Sequence, residues 1–340
     1  MKQLQFLSAC LICLWSCVVS AQSDKPTMKA IVVHEYGGPE VLKLDDVPRP
    51  VPKENEILVK VIAAGVNPVD SAARSEKFAQ FLNIKLPAIP GYDIAGVIEK
   101  TGATVTKLKA GDPVYAYIAL DKGGGYAEYA LATEKETSPK PKSLNYVDAA
   151  AVPLVSLTAW QGLVDTAKLS AGQAVIIHGG SGGVGSFAIL IAKARGAKVL
   201  ATASMPNQDL LKQLGADVAI DYTKQKFEDV AKDVDVVLDA VGKDTLARSY
   251  GIVKKGGIIV SLVAQPDQAE LDKHGIRGAP LGVEPNSDEL AEITKLIDER
   301  KIKVIVSQTL PLAEAAKAQT QADTHHTRGK IVLKVAEKPK

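Results

Sequence analysis

The chain has 340 residues, of which 46% are hydrophobic and 24% charged, and its formal net charge is +2. That length accommodates two domains, and the composition is that of an ordinary globular protein. The small charge gives no basis for a nucleic-acid partner or for attraction to an anionic membrane surface.

The N-terminal element reads as a processing signal. Lys2 precedes a mostly apolar run over residues 6–19, and Val19-Ser20-Ala21 places small residues where a signal peptidase cuts. Residues 1–21 are therefore expected to be a signal peptide, and the protein to be exported through the general secretory route. Cys10, Cys13 and Cys17 are the only cysteines, so cleavage after Ala21 leaves a mature chain with none. The alternatives are a lipid-modified cysteine, an uncleaved tether too short for an ordinary span, or a cytoplasmic protein that starts near Met28.

Residues 28–33 open a region of short β-type runs, with others at 56–63, 94–100, 113–118 and 126–131. Turn sequences such as Gly37-Gly38-Pro39 and Gly123-Gly124-Gly125 separate them, as in an irregular, partly closed β domain. From Val147 the pattern changes. Residues 148–165 are Ala- and Leu-rich and read as helix interrupted by Pro153. Strand-like runs at 174–178, 198–202, 217–220, 235–239 and 257–262 then alternate with helical segments, which implies a parallel, doubly wound sheet. An edge strand at 276–281 and a helix at 287–300 follow, with Asp288 and Glu289 in the helix's first turn. The tail, 303–335, reads as two strands around a short helix.

The most informative run is residues 173–185, QAVIIHGGSGGVG. Gly180, Gly182 and Gly185 satisfy G-x-G-x-x-G, with a strand before them and a helix after. Glycines there let the backbone turn sharply and approach a pyrophosphate, and the helix start offers free N–H groups. Gly180, Ser181, Gly182, Gly183, Val184 and Gly185 are thus candidate cofactor-binding residues. An NAD-type site carries an acid about twenty residues further on, at the end of the second strand. That place reads Ala201-Thr202-Ala203-Ser204. No carboxylate there repels a 2′-phosphate, and Ser204 can donate to one, so NADPH is the expected cofactor. Val241, Leu262 and Val263 follow strand ends, where ligands of such sheets bind.

Together, several segments resemble the medium-chain dehydrogenase/reductase superfamily and its zinc-free, zeta-crystallin-like quinone oxidoreductase branch. They are Gly65 to Asp70 (GVNPVD), Pro90 to Gly96 (PGYDIAG), Gly125 to Tyr129 (GYAEY), Leu157 to Trp160 (LTAW), the glycine loop, Leu214 to Asp217 (LGAD) and Arg328 to Leu333 (RGKIVL). The resemblance implies an α/β chain: a GroES-like β domain plus a Rossmann doubly wound parallel sheet. The implied GroES-like catalytic domain spans 27–147 and is completed by 302–340, with the cofactor domain at 148–301. It further implies an active site in the cleft, a homodimer, and hydride transfer from NADPH to quinones or α,β-unsaturated carbonyls.

Residue by residue, the resemblance puts Asn67 first for the substrate cleft, where its amide can donate to an oxygen that gains charge during hydride transfer. Asp70 either orients its neighbours or caps the next segment. Thr158 matches a position lining the nicotinamide, and Tyr222 one along the adenosine. Zinc-dependent members carry a cysteine at the Asn67 position and a His-Glu pair where this chain has Tyr92 and Asp93. No metal is expected, and without a Lewis acid a conjugated acceptor is favoured, because it delocalises the developing charge itself. Relatives with a tyrosine shortly after Asn-x-x-Asp have a ready proton donor; residues 71–87 contain none. Tyr92 and Tyr126 are the nearest candidates, both more simply read as packing residues. A zinc-free alcohol or enoyl thioester reductase and a non-catalytic NADPH-binding sensor are the competing readings.

Overall fold

The computed structural model describes residues 26–337, and the expected signal peptide with its cysteines lies outside them. β1 (Thr27–Val33) and β2 (Leu42–Pro48) pair antiparallel. β3 (Glu56–Val66) leads through a 3-10 turn to the short helix α1 (Glu76–Phe81). β4 (Asp93–Thr101), β5 (Pro113–Tyr117), β6 (Tyr129–Thr133) and β7 (Thr137–Pro139) follow. Helices α2 (Tyr146–Ala150) and α3 (Pro153–Trp160) lead to the second sheet. There β8 (Ala174–His178), α4 (Gly183–Ala194), β9 (Lys198–Ala203), α5 (Gln208–Gln213) and β10 (Val218–Asp221) come first. The single turn α6 (Phe227–Val230), β11 (Val234–Asp239), α7 (Lys243–Ser249), β12 (Val253–Ser261), α8 (Gln268–His274), β13 (Arg277–Pro280) and α9 (Ser287–Asp298) complete it. The tail supplies β14 (Val306–Pro311), α10 (Ala315–Ala322) and β15 (Lys330–Lys334).

The second sheet is parallel throughout, in the order β10-β9-β8-β11-β12-β13. Its order reverses at β8, where such sheets leave a crevice for ligand at the carboxyl ends of their strands. A parallel sheet covered by helices buries both faces, which is why its strands are nearly all apolar. Along β8 the side chains alternate: Val175 and Ile177 pack with Phe187 and Ile189 of α4, while Ile176 joins Phe227 and Ile259 on the opposite face. The first sheet runs β14-β15-β3-β4-β5-β7, with β6 also on β3. β15 lies antiparallel to β3, Ile331 opposite Val66, so the end of the chain is built into the sheet that carries Asn67.

The helix expected over 148–165 is divided into α2 and α3. Pro153 opens the second of them, and Asp93 Oδ1 accepts the Leu154 N–H at 2.8 Å, fixing that start from the first sheet. The last turn widens into a π-helix at Gln161–Thr166. Residues 126–128 are not strand. Gly125 and Tyr126 instead donate their N–H groups to Gly91 and Pro90, both at 2.9 Å, beside a Gly91 held at φ +92°. Two strands (β2, β7) and α1 occur where the sequence showed no clear period.

Candidate active site

The glycine loop begins where β8 ends. Gly179 has φ +74°, and Gly180 N–H donates to Thr202 O at 2.9 Å, holding the loop against β9. A Cβ on Gly185 would lie 2.2 Å from Gly179 O and 2.7 Å from Gly180 Cα, so the tight loop requires glycine there. Gly182 is different. Its φ of −77° and ψ of 179° suit any residue, and a Cβ would meet only Gly179 O at 3.4 Å. Neither backbone nor packing demands glycine at 182; what it leaves clear is the space before the first turn of α4, where free N–H groups attract a phosphate.

Ser181, Gly183 and Val184 complete that turn and are partly exposed. Ser204, Tyr222, Val241, Leu262 and Val263 follow β9, β10, β11 and β12, so the parallel sheet brings them to the same edge as the loop. Tyr222, Val241 and Val263 are 53%, 49% and 57% exposed. The turn after β9 contains no carboxylate, and Ser204 Oγ has only a 3.4 Å contact from Asn207 Nδ2. Lys212 pairs with Asp209 at 3.8 Å, both strongly exposed, as expected of a surface lysine.

Beneath this edge lies a residue the sequence did not single out. Asp239, fully buried, accepts from the N–H groups of Val241 at 3.0 Å and Gly242 at 2.9 Å and from Ser261 Oγ at 2.9 Å. It ties the ends of β11 and β12 together. His178, also buried, lies between Thr202 Oγ1 and Ser249 Oγ, 3.2 Å from each, and burial pushes it down to about 4.

On the facing domain, Asn67 is 1% exposed. Its Nδ2 donates to Asp93 Oδ2 at 2.9 Å, its Oδ1 accepts from Lys330 Nζ, and its backbone N–H donates to Asp70 Oδ2 at 2.7 Å. The amide expected to face a substrate carbonyl is therefore turned into the protein. Asp70 also accepts from Tyr126 Oη at 2.5 Å, while its Oδ1 has no partner among the described residues. Burial pushes Asp70 up to about 7 against the pull of Tyr126 and the Asn67 N–H. Asp70 lies within the turn that Asn67 opens and bonds the Asn67 N–H and the Tyr126 hydroxyl; it does not cap the next segment, since the N-cap of α1 is Ser75.

Asp93 is pushed up by burial and pulled back by Lys330; Lys330 is pushed down by burial and pulled back by Asp93. Lys330 Nζ also donates to Val66 O at 2.6 Å and lies 3.6 Å from Asp93 Oδ2. Thr158 Oγ1 donates to Leu154 O at 2.7 Å, one turn back on α3, and keeps only acceptor capacity for a ligand. Tyr126 is fully buried and committed to Asp70, so it supplies no proton to the cleft. Tyr117 Oη, opposite Asp93 on β5, is buried with no partner among the described residues.

These residues do not fit a zinc ion. The positions that would carry its ligands hold an amide, a phenol and one carboxylate, and an ammonium already occupies the carboxylate and the amide oxygen. Zinc sites are built from thiolate, imidazole and carboxylate donors. Among the described residues no three His, Cys, Asp or Glu side chains are grouped to hold an ion.

A parallel sheet with a glycine-rich loop before a helix, set against a β domain, is an architecture suited to a nucleotide-dependent oxidoreductase. Comparisons agree. Residues 53–142 match the alcohol dehydrogenase GroES-like domain family and 214–333 the zinc-binding dehydrogenase family. The NADPH-dependent alkenal/one oxidoreductase of Arabidopsis thaliana chloroplasts is 40% identical over 327 residues, covering 93% of this chain and 82% of that protein. The quinone oxidoreductase of Coxiella burnetii superposes with a TM-score of 0.85 at 36% identity, covering 92% of this chain and all (100%) of its own. The Escherichia coli quinone oxidoreductase complexed with NADPH gives 0.82 at 29% identity, over 90% and 100%. The chain belongs to the medium-chain dehydrogenase/reductase superfamily, in its zeta-crystallin-like quinone oxidoreductase branch.

Proposed function

We propose that this protein is an NADPH-dependent reductase that passes a hydride to quinones or α,β-unsaturated carbonyls without zinc. The observation that carries the cofactor assignment is Gly182, the N-cap of α4, where neither φ nor packing excludes a side chain and glycine leaves the start of the helix open to a phosphate. Relatives named for NADPH, alkenals, enones and quinones support the acceptor class.

The bound cofactor would supply the hydride. The chain's residues bind and orient it: the loop at 180–185 takes the pyrophosphate, Ser204 and Tyr222 the adenosine end, and Thr158, Val241, Leu262 and Val263 the nicotinamide half. Asn67 and Asp70 act as positioning residues, because both amide atoms of Asn67 are directed at Asp93 and Lys330 and Asp70 Oδ2 holds Tyr126. Tyr92 and Tyr126 are buried, and in this reading water, rather than a side chain among the described residues, protonates the reduced enone. A quinone, whose reduced form spreads its charge over the ring, needs no dedicated acid.

Anaerobic NADPH oxidation with a panel of quinones, enones, aldehydes and enoyl thioesters, with and without chelator, tests this. Chelator-resistant turnover of the first two classes is expected. Turnover confined to aldehydes or thioesters, or NADPH binding with no turnover, would select one of the competing readings. We further propose pairing of two copies through the edge strand β13, and export directed by residues 1–21. Light scattering and N-terminal sequencing after fractionation check these; a cytoplasmic protein beginning near Met28 would refute export.

A further inference from the structure

The turn Arg328-Gly329-Lys330 joins the two halves of the site. On one side its backbone lies on the phosphate loop: Gly329 N–H donates to Ser181 O at 2.9 Å, and Gly329 forms a parallel bridge with Gly182. The stem of Lys330 runs beneath Gly183, where an added Cβ would lie 3.0 Å from Lys330 Cδ. On the other side the ammonium ends in the first domain, on Val66 O, on Asn67 Oδ1 and beside Asp93. Asp93 in turn holds the Asn67 amide and the Leu154 N–H at the start of α3, the helix that carries Thr158. The side chain of Lys330 is 4% exposed and that of Asp93 is 0% exposed.

We propose that Lys330 is a positioning residue that couples the phosphate loop to the Asn67 turn, and that its ammonium serves as the resident cation of the cleft. The argument is mechanical and electrostatic. A buried ammonium is stable only while its acceptors stay within reach. Here those acceptors belong to β3, β4 and the turn after β3, whereas the preceding residue, Gly329, is bonded to the loop before α4, and the N–H of Lys330 itself donates to Ile305 O at 2.9 Å. Displacement of the loop therefore pulls the ammonium from Asn67 and Asp93, and displacement of Asn67 releases the loop. The same charge opposes a divalent ion among these groups, so the proposal rests on the zinc-free reading above.

The test uses 2′-phospho-ADP-ribose, which has the phosphates and adenosine of NADPH but no nicotinamide to touch Asn67. Its dissociation constant is measured by calorimetry for wild type, K330M, K330R, N67A and the double variant N67A/K330M, with melting curves to establish folding. The expected outcome is a rise of about tenfold in K330M, the size found when groups that orient a site are removed, with K330R recovering most of it. N67A, in the other domain, is expected to weaken the fragment at least threefold, and the double variant to be no worse than K330M, as for residues acting through one contact. Unchanged fragment binding in N67A, or additive losses in the double variant, would overturn the coupling. That failure is separate from the functional reading, which falls if wild type does not bind the fragment or requires zinc for turnover.

Discussion

If Gly182 is glycine for the sake of a ligand and Gly185 for the sake of the loop, alanine at the two positions must fail in different ways. At Gly185 the new methyl would start 2.2 Å from Gly179 O and 2.7 Å from Gly180 Cα, both backbone atoms. Ordinary contact needs roughly 1 Å more, so the loop must move. Overpacking of this kind costs about 1–3 kcal/mol. Gly185→Ala should therefore lower Tm by several degrees, at about 2–4 °C per kcal/mol, and also lose cofactor. At Gly182 the methyl meets only Gly179 O at 3.4 Å, with a φ that alanine adopts freely. The protein cost is limited to a poorer residue at the helix N-cap, up to about 1 kcal/mol. Yet the methyl occupies the approach to the N–H groups of α4, and a displacement of about 1 Å at a positioned ligand can cost about 10²-fold. Fluorescence titration with NADPH and differential scanning calorimetry read both quantities. Gly182→Ala with near-wild-type stability and affinity would refute the assignment of this space to the cofactor.

Three further outcomes follow from the geometry. Ser204→Asp places a carboxylate where a 2′-phosphate is expected. Two unit charges 4 Å apart repel by about 1 kcal/mol in water and about 4 kcal/mol at an effective dielectric of 20, so NADPH should lose at least about fivefold in kcat/KM while NADH is spared; equal losses for both would place the phosphate elsewhere. Asp70 has its folded pKa raised from 3.8 to about 7, so its contribution to stability is fully present below 3.8 and is lost as pH rises through about 7. Tm measured from pH 4 to 8 should fall with pH more steeply in wild type than in Asp70→Asn, and identical slopes would show that Asp70 ionises normally. Gly91→Ala would press a methyl to 2.2 Å from Tyr126 Cδ1 at a φ of +92°, and should destabilise the fold by more than about 1 kcal/mol in urea denaturation; a neutral result would mean the Tyr126–Asp70 contact is dispensable.

What was legible in the sequence was local. The bounds of β8 and the start of α4 follow from an apolar run meeting a glycine cluster, and 174–178 is the strand observed. The doubly wound sheet follows from alternation that repeats over more than a hundred residues and needs no knowledge of contacts. By contrast, α1 is six residues long and β7 three, too short for a period to emerge. The division at Pro153 was visible, but its cause was not, because the cap on Leu154 comes from Asp93, 61 residues earlier.

The site divides along the same line. Ser204, Val241, Leu262 and Val263 could be named because strand ends in a parallel sheet share one edge, whatever the side chains do, whereas Tyr222 came from the family resemblance. Asn67 could be located but not oriented: its Nδ2 answers to Asp93, 26 positions away, and its Oδ1 to Lys330, 263 positions away. Asp93 and Lys330 both lay inside recognised motifs, one as the replacement of a metal ligand and the other as part of a terminal strand. Neither position alone shows that the two side chains meet, or that the lysine is buried. A lysine near a chain end is ordinarily solvated, and only the pairing of β15 with β3 carries this one inside. The absence of cysteine from the described residues shows only that no thiolate is available among them. The stronger argument against a dication is positive: the carboxylate and amide that remain are already satisfied by an ammonium.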